Sequence, residues 1–184
     1  MRQTVTLILG IAIAAFAPIK ANADSLCMFT NSPNGPIGAH ATPYARNVLN
    51  QIQSAVGIQF NAVPIYQGNV GNAAAFRSPQ GSFIVYDPQF MNQLLAVDEA
   101  ASASVLAHEL GHLIGNQQGH HNSHVRELQA DRISGCIMRR LNIPQHRAIR
   151  VQQLLPSAGS QSHPASNTRM QHIILGHNNP QNCQ

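Results

Sequence analysis

The chain has 184 residues, and its formal net charge of +4 rests on 11 Lys and Arg against 7 Asp and Glu. Two of those bases, Arg2 and Lys20, sit in the N-terminal stretch; without them 9 bases face 7 acids, a balance of +2, and no lysine remains. The arginines are scattered, with only Arg139 and Arg140 adjacent, which excludes the basic stripe of a nucleic-acid binder.

In chain order, Arg2 is followed by an almost unbroken apolar run from Val5 to Phe16 and by Ala21-Asn22-Ala23. A positive start, a short apolar core and an A-x-A cleavage site together read as a secretory signal peptide over residues 1–23. No later segment approaches the roughly 20 apolar residues of a membrane helix. The expected mature chain, residues 24–184, is therefore an exported single domain, secreted or periplasmic, without stable membrane insertion, and long enough to bury a core. Cys27, Cys136 and Cys183 form an odd set. In an oxidising compartment they predict one disulfide and one spare thiol, the pairing left open, with Cys183 placed to pin a polar C-terminal tail.

From His40 to Val56, Ala41, Tyr44, Ala45, Val48, Leu49, Ile52, Ala55 and Val56 recur at helical spacing, and Gly57 marks the stop. Ile58 to Ala62 alternates as a strand does. Asn69 to Gln80 is small and Gly-containing and leads into a second strand, Ser82 to Tyr86, closed by Asp87-Pro88. Helices are predicted over about Asp98 to Asn116, about Ser123 to Leu141, and after Pro144. Pro156 to Pro164 reads as a polar loop before a short helix near Ala165 to Leu175. A few strands followed by a run of helices predicts an α+β fold.

The first long helix carries His108-Glu109-Leu110-Gly111-His112, an H-E-x-x-H motif. Residues four apart share a helical face, so both imidazoles can reach one zinc while Glu109 stands beside a metal-bound water as general base. Leu106, Leu110, Leu113 and Ile114 form an apolar stripe roughly opposite the histidines, so the helix is expected to be amphipathic, its histidine face lining a cleft.

A catalytic zinc site takes three protein ligands and leaves one position for water. Beyond Glu109 the only acidic residues are Glu127 and Asp131. One turn apart on the next helix, Glu127 is the expected third ligand, and Asp131 is placed to accept the free N–H of a ligating histidine and fix its tautomer. A rival reading is the metzincin pattern, H-E-x-x-H-x-x-G-x-x-H. Gly115 satisfies it, but Gln118 stands where its third histidine belongs, leaving His120, His121 and His124 to share that role; each is otherwise expected to be exposed in a polar loop.

Three motifs in order give the chain a resemblance to the gluzincin metallopeptidases that include the HtpX heat-shock protease, the CAAX prenyl endopeptidases and the periplasmic BepA-type proteases. They are Val105-Leu106-Ala107-His108-Glu109-Leu110-Gly111-His112, then Glu127-Leu128-Gln129-Ala130-Asp131 as E-x-x-A-D, then Ser162-His163-Pro164 followed by Arg169. Asn72-Ala73-Ala74-Ala75-Phe76 extends the likeness upstream. The resemblance implies a mainly helical zincin-like domain holding one zinc through His108, His112 and Glu127, with Glu109 as base and Asp131 behind a ligand. It implies that His163 and Arg169 return to the cleft to stabilise an oxyanion. It also implies that Ser82 to Tyr86 is an edge strand bordering the cleft, to which an extended polypeptide adds by main-chain hydrogen bonds. Membrane-spanning segments and the tetratricopeptide repeats of BepA-type members have no counterpart, so the chain reads as a minimal catalytic domain.

The expected function is thus that of an exported zinc endopeptidase, acting on unfolded or misfolded exported proteins. The alternative from another class is a catalytically silent protein that binds zinc and peptides without cutting them. Glu109 argues against silence, because a metal store needs no base there.

Overall fold

Thr42 and Pro43 open the first helix, α1 (Pro43–Ala55): the Thr42 hydroxyl accepts from the Ala45 N–H at 3.2 Å, and proline at the first position loses no hydrogen bond. The structure is a computed structural model describing residues 41–79, 81–115, 122–155 and 158–183. Residues 1–40, with the expected signal peptide and Cys27, lie outside the described residues, as do Gln118, His120 and His121.

After α1 come β1 (Ile65–Gln67), β2 (Ala73–Ser78) and β3 (Gly81–Tyr86), then α2 (Pro88–Val97), α3 (Glu99–Ile114), α4 (Ser123–Arg140), α5 (Gln145–Ala148), α6 (Arg150–Leu154) and α7 (Ser166–His177). The fold is mixed α+β and mostly helical, with one three-stranded sheet ordered β1-β3-β2. β1 runs parallel to β3 with Ile65 opposite Ile84, and β2 runs antiparallel to it with Ala75 opposite Ile84.

Three expectations are corrected. Ile58 to Ala62 is a turn, with Asn61 at φ 59° and Phe60 68% exposed. Side chains on α1 take up the backbone there: Asn50 Oδ1 accepts from the Asn61 N–H at 3.1 Å, and Gln53 Oε1 from the Val63 N–H at 2.8 Å. With those groups satisfied by α1, pairing begins only at Pro64, whose carbonyl accepts from the Ile84 N–H at 3.0 Å. The Ser82 to Tyr86 segment is the central strand, so the sheet edge toward the helices is β2, an Ala-rich stretch with little strand propensity of its own. The helix after Pro144 is two short ones, divided at Ile149.

α2 was not expected, because Asp87-Pro88 reads equally as the end of a strand. The same pair starts a helix: Asp87 Oδ1 accepts from the N–H groups of Gln89 (2.8 Å) and Phe90 (3.1 Å). α3 follows at once, capped by Asp98.

α3 lies at the centre, packed by α1, α2, α4, α5, α6 and the sheet. Leu106 and Leu110 are buried as expected, but so are Ala100, Ala101, Ser102, Ala103, Ser104 and Ala107. The helix is therefore enclosed on nearly all sides rather than amphipathic, since its small residues admit neighbouring elements at close range. The main core joins Leu49 and Ile52 of α1, Ile65 and Ile84 of the sheet, Leu94 of α2, Leu106 and Leu110 of α3, and Ile133 and Ile137 of α4. A disulfide links Cys136 of α4 to Cys183, fixing the C-terminal segment. Among the described residues no helix is long and apolar enough to cross a membrane.

Candidate metal centre

α3 and α4 run side by side in opposite directions, and small residues set their spacing. Near one end, the Ser134 hydroxyl donates to the Ser104 carbonyl at 3.0 Å, while the Ser104 hydroxyl reaches the Ala148 carbonyl at 3.2 Å. Near the other, a Cβ on Gly111 would meet the Ala130 Cα and carbonyl oxygen at 3.0 Å. Side chains that project from both helices along this seam, near the Gly111 and Ala130 contact, are thereby brought within reach of one another.

His108 Nε2 lies 3.0 Å from His112 Nε2 and 3.2 Å from Glu127 Oε2, and His112 Nε2 lies 3.4 Å from Glu127 Oε1. All three residues are buried, and together they could hold a metal ion. A tetrahedral ion bonded to nitrogen and oxygen at roughly 2.0–2.2 Å separates its ligands by about 3.3–3.6 Å, close to the spacing found. The chemistry of the donors fits as well. His108 Nδ1 donates to Asp131 Oδ1 at 2.9 Å, which leaves its Nε2 lone pair directed at the other two ligands. Glu127 Oε2 is buried without a hydrogen bond. Lone pairs facing one another at this range call for a cation or a proton between them.

Charge accounts for the protonation of these side chains. Burial works against charging His108, but Asp131 and Glu127 outweigh it and push its pKa up to about 10. Burial raises Glu127, yet the two histidines beside it, His108 and His112, hold its carboxyl well below the usual range. Asp131 is likewise raised by burial and lowered further by Arg169 and His108. A metal ion and a proton compete for the same Nε2 lone pair.

Glu109 leaves α3 on the side of β2. It is 2% exposed, the Ala75 N–H of β2 donates to its carboxylate, and its Oε2 has no partner. Burial raises its pKa, against the pull of the two histidines.

The structure also brings both residues of the third motif to this centre. His163 Nε2 is 3.5 Å from Glu127 Oε2 and otherwise without a hydrogen bond, while its Nδ1 pairs with the Ser162 hydroxyl at 2.8 Å. Burial lowers the His163 pKa. Arg169, 7% exposed, grips Asp131 with two contacts, Nε to Oδ2 at 2.8 Å and Nη2 to Oδ1 at 2.9 Å, and its Nη2 is 3.6 Å from Glu127 Oε2. Thus Arg169 orients the carboxylate that orients His108.

His124 is corrected from an exposed loop residue. It lies in the first turn of α4, half-buried, with Nε2 at 2.9 Å from the Ser160 carbonyl, so it fastens the loop bearing His163 and does not join the cluster. Two contributors had no signal in the sequence. Arg77 of β2 donates from Nη2 to the His112 and Leu113 carbonyls at 3.2 and 2.6 Å, closing the C-terminal end of α3 just beyond the ligand. A cavity of about 110 Å³ beside His108 and Glu109 has Gln152 in its wall. Neither an arginine in an Ala-rich strand nor a lone glutamine forms a pattern.

Comparison with family profiles, curated proteins and solved structures finds no match.

Proposed function

We propose that the protein is an exported zinc-dependent endopeptidase of gluzincin type, with one zinc per chain held by His108, His112 and Glu127. The observation that carries this reading is the convergence of three buried donor atoms, 3.0 to 3.4 Å apart, beside a carboxylate oxygen of Glu109 that has no partner. Two imidazoles and one carboxylate suit zinc, and three protein ligands rather than four are the mark of a catalytic site. Zinc, when bound, supplies a Lewis acid and lowers the pKa of a coordinated water to about 7.

The chain's own residues divide the remaining work. Glu109 Oε2 takes a proton from the attacking water and returns it to the leaving amine; burial, by raising its pKa, makes it a better proton carrier. The Ala75 N–H holds the other oxygen. His163 Nε2, buried and available, donates to the carbonyl oxygen as negative charge builds there. Among the described residues β2 pairs on one side only, so a substrate polypeptide adds in extended form along β2 rather than along the central strand. That mode reads backbone and suits unfolded or misfolded exported chains. The signal-like N-terminus and the Cys136–Cys183 disulfide support a secreted or periplasmic setting.

The test is zinc content and casein digestion, measured on the wild type and on Glu109→Gln. One zinc in both proteins, with cleavage lowered at least about 100-fold in the variant, is the expected result. A zinc-loaded wild type that cleaves no unfolded protein would overturn the reading in favour of a silent metal- and peptide-binding protein.

A further inference from the structure

The cavity beside His108 and Glu109 draws its apolar wall from Phe90 of α2, Val105 of α3, Val151 and Leu155 of α6, and Ile173 of α7. Most polar groups in that wall are already spent. Ser104 and Ser134 bond to each other and to backbone carbonyls, and Asp131 and Arg169 are paired. Apart from Glu109 in the metal centre itself, Gln152 is the exception among the helices. It is 4% exposed, it lines the cavity, and its Oε1 is buried without a hydrogen bond. Asn72, entering from the β2 side, leaves its Oδ1 in the same state.

An unpaired carboxamide in an apolar wall is costly, and leucine or methionine would fill the same space without that cost. Its presence beside a reactive centre is explained if a ligand brings the missing partner. A carboxamide both donates and accepts, so it matches a neutral group of mixed character. A charged side chain would find its counter-charges among the described residues already engaged, because Asp131 and Arg169 pair with each other and Glu109 interacts with the two histidines.

We propose that Gln152 is a specificity-determining residue: the cavity takes a substrate side chain with an apolar stem and a neutral carboxamide or hydroxyl tip, in preference to a purely apolar or a charged one. This rests on the endopeptidase reading for its biological meaning, but the recognition itself is a binding property. A site built to hydrogen-bond a substrate group rejects the analogue that lacks it far more strongly than an apolar pocket rejects a changed methylene.

The experiment pairs cleavage with binding on the zinc-loaded protein. Peptides differing only in one residue, glutamine, tyrosine, norleucine or lysine, are compared by kcat/KM on the wild type, on the volume-matched Gln152→Met and on Gln152→Glu. Binding of N-acetyl-glutaminamide and N-acetyl-norleucinamide is followed in parallel through the methyl signals of Val151, Leu155 and Ile173. The wild type is expected to favour glutamine or tyrosine over norleucine by roughly tenfold or more. Gln152→Met should reverse that order, and Gln152→Glu should turn it toward lysine. If no peptide is cut but the glutaminamide binds better than the norleucinamide, and Gln152→Met removes the difference, the recognition stands and the protease reading falls. A wild-type preference for norleucine, or a preference that neither substitution moves, overturns the proposal.

Discussion

Gly111 and Ala130 touch through their backbones: a side chain on Gly111 would press its Cβ to 3.0 Å from the Ala130 Cα and carbonyl oxygen. One residue is a variable position of H-E-x-x-H, the other the alanine of E-x-x-A-D, so the two motifs meet at their smallest members. Glu127 and Asp131, on either side of Ala130 along α4, reach the histidines because the helices approach this closely.

Gly111→Ala is therefore expected to separate metal affinity from stability. Alanine favours the helix by about 1 kcal/mol, which offsets much of the roughly 1–3 kcal/mol of overpacking. A displacement of a few tenths of an ångström, however, should weaken zinc binding about tenfold. Chelator competition against thermal melting checks this; equal affinity in both proteins would contradict it.

A second close approach holds α7 to α4. A Cβ on Gly135 would collide with the Ile173 carbonyl, and one on Gly176 with the Arg132 carbonyl. Backbone cannot yield as a flexible side chain does. Alanine at either position should cost at least about 3 kcal/mol, or roughly 10 °C in Tm. Arg169, carried by α7, should lose its grip on Asp131 in the same variants, seen as weaker zinc binding in whatever folds.

The ligand set predicts a graded series in metal analysis. Glu127→Ala should leave no stoichiometric zinc, and Asp131→Asn should bind it about 10–100-fold more weakly, because the His108 ring loses its charged acceptor. His124→Ala should keep full zinc, since that ring serves the Ser160 carbonyl. Zinc lost in His124→Ala but kept in Glu127→Ala would reverse the assignment.

Asp98 joins two roles, accepting from the Ala100 N–H at the start of α3 and from Arg147 of α5. The Arg147 hydrogen bond holds its carboxyl below the ordinary value of 3.8, so the pair stabilises the fold above about pH 4 and fades as pH falls through the lowered folded-state pKa. Asp98→Asn keeps the cap and should differ from wild type in neutral solution but converge with it in acid. Asp98→Ala should be less stable than Asp98→Asn by about 1 kcal/mol throughout. Urea melts at pH 7 and pH 3 distinguish these; a wild-type advantage over Asp98→Asn undiminished at pH 3 would refute the charge-pair account.

Much of the helical frame was legible because its signals are local. The apolar spacing before Gly57 and the run flanking H-E-L-G-H each mark a helix, and scarcity of acids singled out Glu127 and Asp131 as a pair on the next. The strands were less legible. Ile58 to Ala62 alternates correctly yet is held as a turn by Asn50 and Gln53, and Ala73 to Ser78 forms a strand because β3 and α3 flank it.

By itself, the sequence determined which side chains of a helix share a face, since a period of 3.6 residues puts His108 and His112 together wherever that helix lies. Tertiary structure alone decided how near the second helix comes, through Gly111 against Ala130, and so whether Glu127 reaches those histidines. It also placed Gln152 unpaired in the cavity wall. Distances between helices depend on what packs between them, and no spacing along one chain segment encodes that.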